Sequence, residues 1–292
     1  MQVASWNVNS VRTRLGHVTD WLRANPAVDV LCLQETKVVD ADFPKTAFEE
    51  LDYHTYIYGQ KAYNGVALIS KTSLEDVRMG FGAILEEATV GELDDQKRLI
   101  SGVLNGVRIV NLYVPNGSSI GSEKYNYKLS WLALLKQYLV KTLEETTKLN
   151  VCGDFNIALE DKDIYTSEKR DKHIMSSPLE RETLREVLSV GRSPQERETL
   201  REVLSAGRSP QEGESLTDAL GLADAFRKFT DEGGHFSWWD YRAASFRRNM
   251  GWRIDHHYLS PELYNQAKRC WIDIEPRKLE KPSDHTPVIV EY

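Results

Sequence analysis

The feature of this sequence that most constrains its fold is a long series of short apolar segments separated by turn-forming residues. Most segments are rich in Val, Ile, Tyr or Trp and are bounded by Gly, Pro, Asn or Asp, a pattern typical of β-strands. They predict strands at residues 3–7, 28–33, 55–58, 65–70, 99–104, 108–114, 149–153, 236–239, 253–259, 270–274 and 288–291.

Two amphipathic helices stand out between these strands. One is predicted at residues 13–24, with Leu15, Val18 and Leu22 on one face, and the other begins near Ser122. Many strands with few helices predict an α/β fold of two packed sheets flanked by helices, rather than a TIM barrel or a Rossmann sheet. Because no linker divides the sequence, we predict a single domain over residues 1–292.

A tandem repeat interrupts the second half of the chain. Residues 180–195 read ERETLREVLSVGRSPQ, residues 196–211 differ from them at one position, and a decayed third copy covers residues 212–222. Each copy follows a Ser-Pro pair with Glu three residues after the Ser, which predicts three short helices with capping boxes. We interpret residues 177–221 as a helical insertion tolerated on the surface, since long surface insertions cost little closure entropy. The alternative is a partner-binding arm.

Composition argues against several classes of protein. No apolar run approaches the roughly 20 residues of a membrane helix, and the first residues lack a secretory pattern, so we expect no membrane association. Three widely spaced cysteines argue against disulfides and zinc knuckles and favour a reducing, cytoplasmic location. A net charge of −7 disfavours general coating of nucleic acid but is compatible with a local basic groove.

Polar side chains follow several predicted strands at the point where each strand ends. Glu35, Asp284, Asn7 and Asn9 offer the carboxylate and amide oxygens that a hard divalent cation such as Mg²⁺ prefers. Side chains at strand ends project from a rigid scaffold into a cleft. These residues therefore predict a metal site.

A second polar set suits acid–base chemistry. Asp154 and Asn156 point the same way on an extended chain, so one can accept a proton from water while the other orients it. His285 needs a carboxylate to hold its tautomer, and Asp255 is a better partner than Asp284, because adjacent strand side chains face opposite ways. Taken alone, an Asp-x-Asn is more often a turn former than a base.

Aromatic and basic side chains alternate through residues 236–254. The aromatic members are Trp238, Trp239, Tyr241, Phe246 and Trp252, and the basic members are Arg242, Arg247, Arg248 and Arg253. Such a stretch suits a nucleic-acid backbone and unstacked groups. The alternative is that Trp238 and Trp239 straddle a strand, with one facing the core and the other facing solvent.

Eight motifs occur in a fixed order along nearly the whole chain. They are WNVNSVRTR (6–14), LQETK (33–37), NGVAL (64–68), NLYVPNG (111–117), GDFNIAL (153–159), FSWWDYR (236–242), GWRID (251–255) and PSDHTPV (282–288). In this order they resemble the exonuclease III family of abasic-site endonucleases, within the endonuclease/exonuclease/phosphatase superfamily. The resemblance implies a four-layered α/β sandwich of two packed mixed β-sheets flanked by helices, in agreement with the strand pattern. The repeats depart from the family, which usually has one helix there.

The resemblance also implies roles for the matched residues. For the metal, it implies Glu35 as the principal ligand, with Asn7 and Asp284 nearby. For catalysis, it implies Asp154 at the attacking water with Asn156 beside it, His285 paired with Asp255 at the phosphate, and Tyr113 near the scissile bond. For DNA binding, we assign Asn9, Lys37, Arg98, Asn116 and Arg242, together with an apolar pocket of Trp238, Trp252 and Ile254 for a flipped-out abasic sugar.

The activity implied is that of a monomeric DNA-repair enzyme that uses Mg²⁺, with Mn²⁺ as an alternative. It would cleave duplex DNA 5′ to abasic sites, digest 3′ ends and remove 3′ blocking groups. One competing hypothesis is a superfamily phosphatase or sphingomyelinase, which the basic aromatic stretch disfavours. Another is a catalytically silent nucleic-acid-binding relative, which the intact polar set disfavours.

Overall fold

The computed structural model describes residues 1–166, 168, 170–190 and 221–292. In these ranges the strands are β1 (Gln2–Asn7), β2 (Val30–Gln34), β3 (His54–Tyr58), β4 (Val66–Ser70), β5 (Glu75–Met79), β6 (Leu99–Leu104), β7 (Val107–Tyr113), β8 (Leu149–Asp154), β9 (Ala223–Asp224), β10 (Asp255–Leu259), β11 (Arg269–Ile272) and β12 (Val288–Glu291). The α-helices of the same ranges are α1 (Leu15–Ala24), α2 (Lys45–Glu49), α3 (Glu87–Val90), α4 (Glu123–Glu145), α5 (Pro178–Leu188) and α6 (Pro261–Gln266).

The strands form two six-stranded sheets. The first has the order β11-β12-β1-β2-β4-β3 and the second β5-β6-β7-β8-β10-β9. In each sheet one central pair is parallel, β1 with β2 and β7 with β8, and the other pairs are antiparallel. The prediction of two packed mixed sheets is therefore confirmed.

Alternating side chains of the central strands build the layers, because successive residues of a strand face opposite sides. Val3, Cys32, Ile109 and Leu259 belong to the core between the two sheets. The outer face of the first sheet carries Ala4, Leu31 and Leu33, packed with Val18 and Leu22 of α1. The outer face of the second sheet carries Val110, Val151 and Tyr258, packed with Trp131 and Leu135 of α4 and Leu184 of α5. The result is the four-layered sandwich expected from the sequence.

Helix α4 is the longest helix and carries one unusual residue. Its N-cap is Ser122, as predicted, whose hydroxyl accepts a hydrogen bond from the Tyr125 N–H. Lys128 stands in the buried stripe between Tyr125 and Leu132, where an apolar residue is the rule. Within the described part of the chain, no helix combines the length and apolar character needed to cross a membrane.

The main departures from the predicted strands concern segments with little apolar content or little regular pairing. Residues 236–239 form isolated bridges, Trp238 with Trp252 and with His285, rather than a strand. Strand β5 was missed because it is a polar edge strand with a register irregularity, and β9 because it has only two residues. These segments obey local contacts that an alternating pattern does not encode.

Helix α5 is the first of the three helices predicted for the repeats. Ser177 caps it and forms the capping box with Glu180. The two other predicted helices lie outside the described residues. The chain on either side of those residues meets: the Leu222 N–H donates to the Leu188 carbonyl at 2.8 Å, and a Cβ added to Gly221 would lie 1.7 Å from the Val190 oxygen.

This closeness predicts that the insertion can be excised. Deletion of residues 191–220, joining Val190 to Gly221, is expected to change the free energy of unfolding by no more than about 1 kcal/mol, since a long loop between adjacent ends costs little closure entropy. Denaturant unfolding and nuclease assays of the shortened chain check this. Loss of activity with folding intact would instead favour the partner or substrate arm.

Candidate active site

Strand ends from both sheets bring the central carboxylates together. Asn7 ends β1, Glu35 directly follows β2, and Asp154 ends β8 of the other sheet. The Asn7 side-chain amide donates to Glu35 Oε1 and to Asp154 Oδ2, each at 2.9 Å. One buried amide thus fixes two acids that lie 119 positions apart in sequence (154 − 35).

His285 lies beside this pair and is held by the carboxylate predicted for it. Its Nδ1 is 2.8 Å from Asp255 Oδ2, and its Nε2 is 3.7 Å from Asp154 Oδ2. Burial alone would lower the pKa of His285, but Asp255 and Asp154 raise that pKa to about 10. The ring is therefore an imidazolium at neutral pH, with an Nε2–H available to a phosphate oxygen.

Asp154 has an unusual affinity for protons. Burial is the main cause that raises the pKa of its carboxyl to about 7, with Asp255 and Glu35 adding to the rise against the opposing effect of His285 and Asn7. A carboxylate with a pKa near the working pH is suited to take a proton from water.

Asn156 reaches Asp154 through a turn rather than along an extended strand. Its φ is 50°, its backbone N–H donates to Asp154 Oδ1 at 2.8 Å, and its side-chain amide donates to Asp154 Oδ2 at 3.2 Å. Asn116 donates in turn to Asn156 Oδ1 at 2.9 Å. The predicted neighbours are together, although the extended geometry expected for them was wrong.

A cation-binding group exists at the centre of the site. Among the described residues, Glu35, Asp154 and His285 place one ligand atom each within 4.8 Å of one another. Two of the three atoms are carboxylate oxygens, which suit a hard divalent cation. Burial would raise the pKa of Glu35, but Lys37 and Asn7 hold it below its usual value, so Glu35 is ionised and able to bind a cation.

The other two predicted metal ligands make different contacts. The Asn7 carbonyl oxygen accepts from the Asn9 N–H at 3.0 Å, so Asn7 orients the carboxylates instead of presenting oxygen to them. Asp284 is outside the three-residue group: its Oδ1 accepts from Asn9 and its Oδ2 from Trp238, both at 3.0 Å. In this arrangement Glu35 alone of the predicted ligands lies in the group.

The predicted phosphate-side cations differ in their surroundings. Lys37 Nζ lies 2.8 Å from Glu35 Oε2 and donates to Asn9 Oδ1 at 2.5 Å. Arg98 stacks on the Tyr113 ring at 4.6 Å from its centroid, and burial, with Glu35 nearby, raises the pKa of that tyrosine well above its usual value. Tyr113 is therefore a neutral hydroxyl donor. Arg242 points into solvent, with its side chain 91% exposed.

An apolar cavity of about 270 Å³ adjoins the site. Trp238, Trp252, Ile164, His173 and Met250 line it, and Arg242 stands at its edge. Ile254, predicted as a wall of this pocket, is 1% exposed and packs behind Trp252 in the same apolar cluster.

The basic aromatic stretch divides between core and surface. Trp239 is buried and Trp238 is partly exposed, as the core-and-solvent alternative proposed. Arg253 was expected among the cations facing nucleic acid, and this was wrong: it is buried and paired with Asp163 and Asp224, both at 2.7 Å. Burial of an arginine requires fixed anions, and those anions lie far away in sequence.

Sequence reasoning also missed Lys128, which donates to the Asn156 carbonyl at 2.8 Å behind the site. The signal was available, because a lysine at a core position of an amphipathic helix needs a buried partner.

Comparison with known proteins matches the model of the Endonuclease/Exonuclease/phosphatase family over residues 4–285. Exodeoxyribonuclease III of Haemophilus influenzae is 32% identical, with the whole of both chains aligned. The solved structure of a 3′ phosphatase from Neisseria bound to product DNA hairpin is 36% identical, with a TM-score of 0.84, covering 100% of this chain and 99% of that one. An AP endonuclease structure from Archaeoglobus fulgidus is 34% identical, with a TM-score of 0.82 and the same coverage.

Proposed function

The chain belongs to the endonuclease/exonuclease/phosphatase family, and within it we propose an enzyme that hydrolyses the phosphodiester 5′ to abasic sites in duplex DNA. It is a DNA-repair nuclease of the exonuclease III type. The observation that carries the proposal is the placement of Asp154 between Asn7 and His285, beside the apolar cavity.

Each residue of this group has a chemical task. Asp154, oriented by Asn7 and Asn156, takes a proton from the attacking water, and the His285 Nε2–H neutralises charge that develops on a non-bridging phosphate oxygen. Asp255 keeps the imidazole charged and oriented.

Glu35, together with Asp154, would hold the cation, which we propose to be Mg²⁺ with Mn²⁺ as an alternative. When bound, it supplies positive charge that neutralises the phosphate and stabilises the leaving 3′ oxygen. The products would then be a 3′ hydroxyl and a 5′ deoxyribose phosphate.

The test is a duplex that carries one abasic analogue, incubated with the protein in Mg²⁺ and, as a control, in EDTA. We expect a single nick 5′ to the analogue in Mg²⁺ and none in EDTA. A second duplex with recessed 3′ ends tests the 3′-directed digestion that we also propose, and a third carrying a 3′ phosphate tests removal of blocking groups. Activity only on small or lipid phosphates would refute the proposal.

Trp252 should govern the choice of abasic sites. An abasic sugar has no base to unstack, so it can turn into the cavity cheaply, whereas a normal nucleotide is too large. Trp252→Ala should lower the preference for abasic over intact duplex by about tenfold, which corresponds to about 1.4 kcal/mol of selective contact. Competition binding at several salt concentrations checks this, and the salt slope, set by phosphate contacts, should not change. Equal weakening for both duplexes would contradict the pocket assignment.

We propose further that the enzyme works as a cytoplasmic monomer. The cysteines Cys32, Cys152 and Cys270 are all free and buried, which suits a reducing compartment. Light scattering on the purified protein checks the monomer.

A further inference from the structure

Lys128 is an ammonium group buried behind the active site with all its hydrogen bonds specified. The residue is 0% exposed. It donates to the Asn156 carbonyl at 2.8 Å, to the Asn116 carbonyl at 3.2 Å and to Glu180 Oε1 at 2.5 Å. An ammonium has three donors, so each one has its own acceptor here.

Glu180 is equally well fixed. Its Oε1 also accepts from the Met175 N–H at 3.1 Å, while its Oε2 accepts from the Ser177 N–H at 3.1 Å and from the Ser177 hydroxyl at 2.6 Å. The carboxylate therefore joins the start of α5 to α4 through Lys128. Burying such a pair is no efficient way to gain stability, which calls for another reason for its presence.

The two carbonyls that Lys128 binds belong to residues in contact with the catalytic carboxylate. Asn156 holds Asp154 through its backbone N–H and its amide, and Asn116 holds the amide of Asn156. Asn156 adopts a positive φ, a conformation that needs support from its surroundings. An unbroken series of hydrogen bonds runs from Glu180 through Lys128 and Asn156 to Asp154.

We propose that Lys128 is a positioning residue, which clamps the Asn116 and Asn156 loops so that Asp154 is held for proton transfer. This deepens the proposed function and rests on it. Displacement of catalytic groups by about 1 Å can cost up to about 100-fold in rate, so the clamp should act on kcat.

The experiment compares three variants with the wild-type chain. Lys128→Met removes the donors at similar length, and Lys128→Met combined with Glu180→Gln also removes the stranded buried charge, since Gln can keep the capping box. The matched control is Lys136→Met, which breaks the exposed pair between Lys136 and Glu186 that joins the same two helices at 3.0 Å. Values of kcat and KM are measured on the abasic duplex and on recessed 3′ ends, and stability by denaturant unfolding.

We expect Lys128→Met to lower kcat about 10- to 100-fold, with KM within about threefold of wild type. The double variant should regain stability but not kcat, and Lys136→Met should match wild type in kcat. If kcat returns together with stability, or falls only with the folded fraction, the positioning role is overturned. If the wild-type chain digests 3′ ends but does not nick the abasic duplex, the proposed abasic activity fails while the Lys128 comparison still reads out on 3′ ends.

Discussion

Replacing Asp154 with Asn should lower kcat for DNA cleavage by about three orders of magnitude, the scale lost when a general base is removed. Asn has the same shape and can still accept hydrogen bonds from Asn7 and Asn156, so the fold around the site should survive. It cannot take up the proton of water. The raised pKa of Asp154, about 7, marks the carboxylate as a proton acceptor, and this property is what the variant lacks.

The loss should appear in kcat and hardly in DNA binding, because the proton is transferred only in the transition state. Anisotropy titrations with the abasic duplex in EDTA measure binding separately from turnover. Asp20→Asn is the control, since Asp20 is an exposed carboxylate on α1 paired only with Arg23 at 2.6 Å. Equal losses in affinity and turnover would show that Asp154 acts in binding instead.

The sequence predicted the layers of the fold because strand and helix periodicity reflect burial directly. Ten of the eleven predicted strands are present, and their ends carry the polar residues that were singled out. Strand β5 escaped because an edge strand with residues such as Glu75 and Asp76 has no apolar alternation to detect. Residues 236–239 were mistaken for a strand because their aromatic content reflects packing against Trp252, not pairing in a sheet.

The site was predicted in membership more than in geometry. Asp255 was correctly chosen for His285, since strand alternation excluded Asp284. The bridging amide of Asn7 could not be foreseen, because it depends on how closely β1 and β8 of different sheets approach at their ends. Lys128 and Arg253 show the same limit: a buried charge is visible in sequence, but its partner is set by tertiary packing.

Arg253 lies at the centre of a buried network of charges that supports the site from behind. Its guanidinium is 2.7 Å from Asp163 and from Asp224, and it approaches His256 Nδ1 at 3.0 Å. Arg227 also contacts Asp163. Arg253 directly precedes the segment that carries Ile254 and Asp255, so the network fixes the start of β10.

Arg253→Met should reduce the free energy of unfolding by about 3–5 kcal/mol, the cost of leaving buried carboxylates without their cation. Burial would raise the pKa values of Asp163 and Asp224, but Arg253 holds both below the ordinary value. Their contribution to stability is therefore present above the unfolded-state pKa of about 3.9 and is lost as pH falls through the folded-state values.

In the variant those folded-state pKa values rise, so the carboxylates take up protons at higher pH and the penalty shrinks. The stability difference from wild type should be largest near neutral pH and narrow towards about pH 4. Denaturant unfolding at several pH values measures it, with Arg23→Met, which removes an exposed ion pair, expected to stay within about 0.5 kcal/mol of wild type. A deficit that is constant between these pH values would mean that Arg253 stabilises the chain by packing rather than by charge.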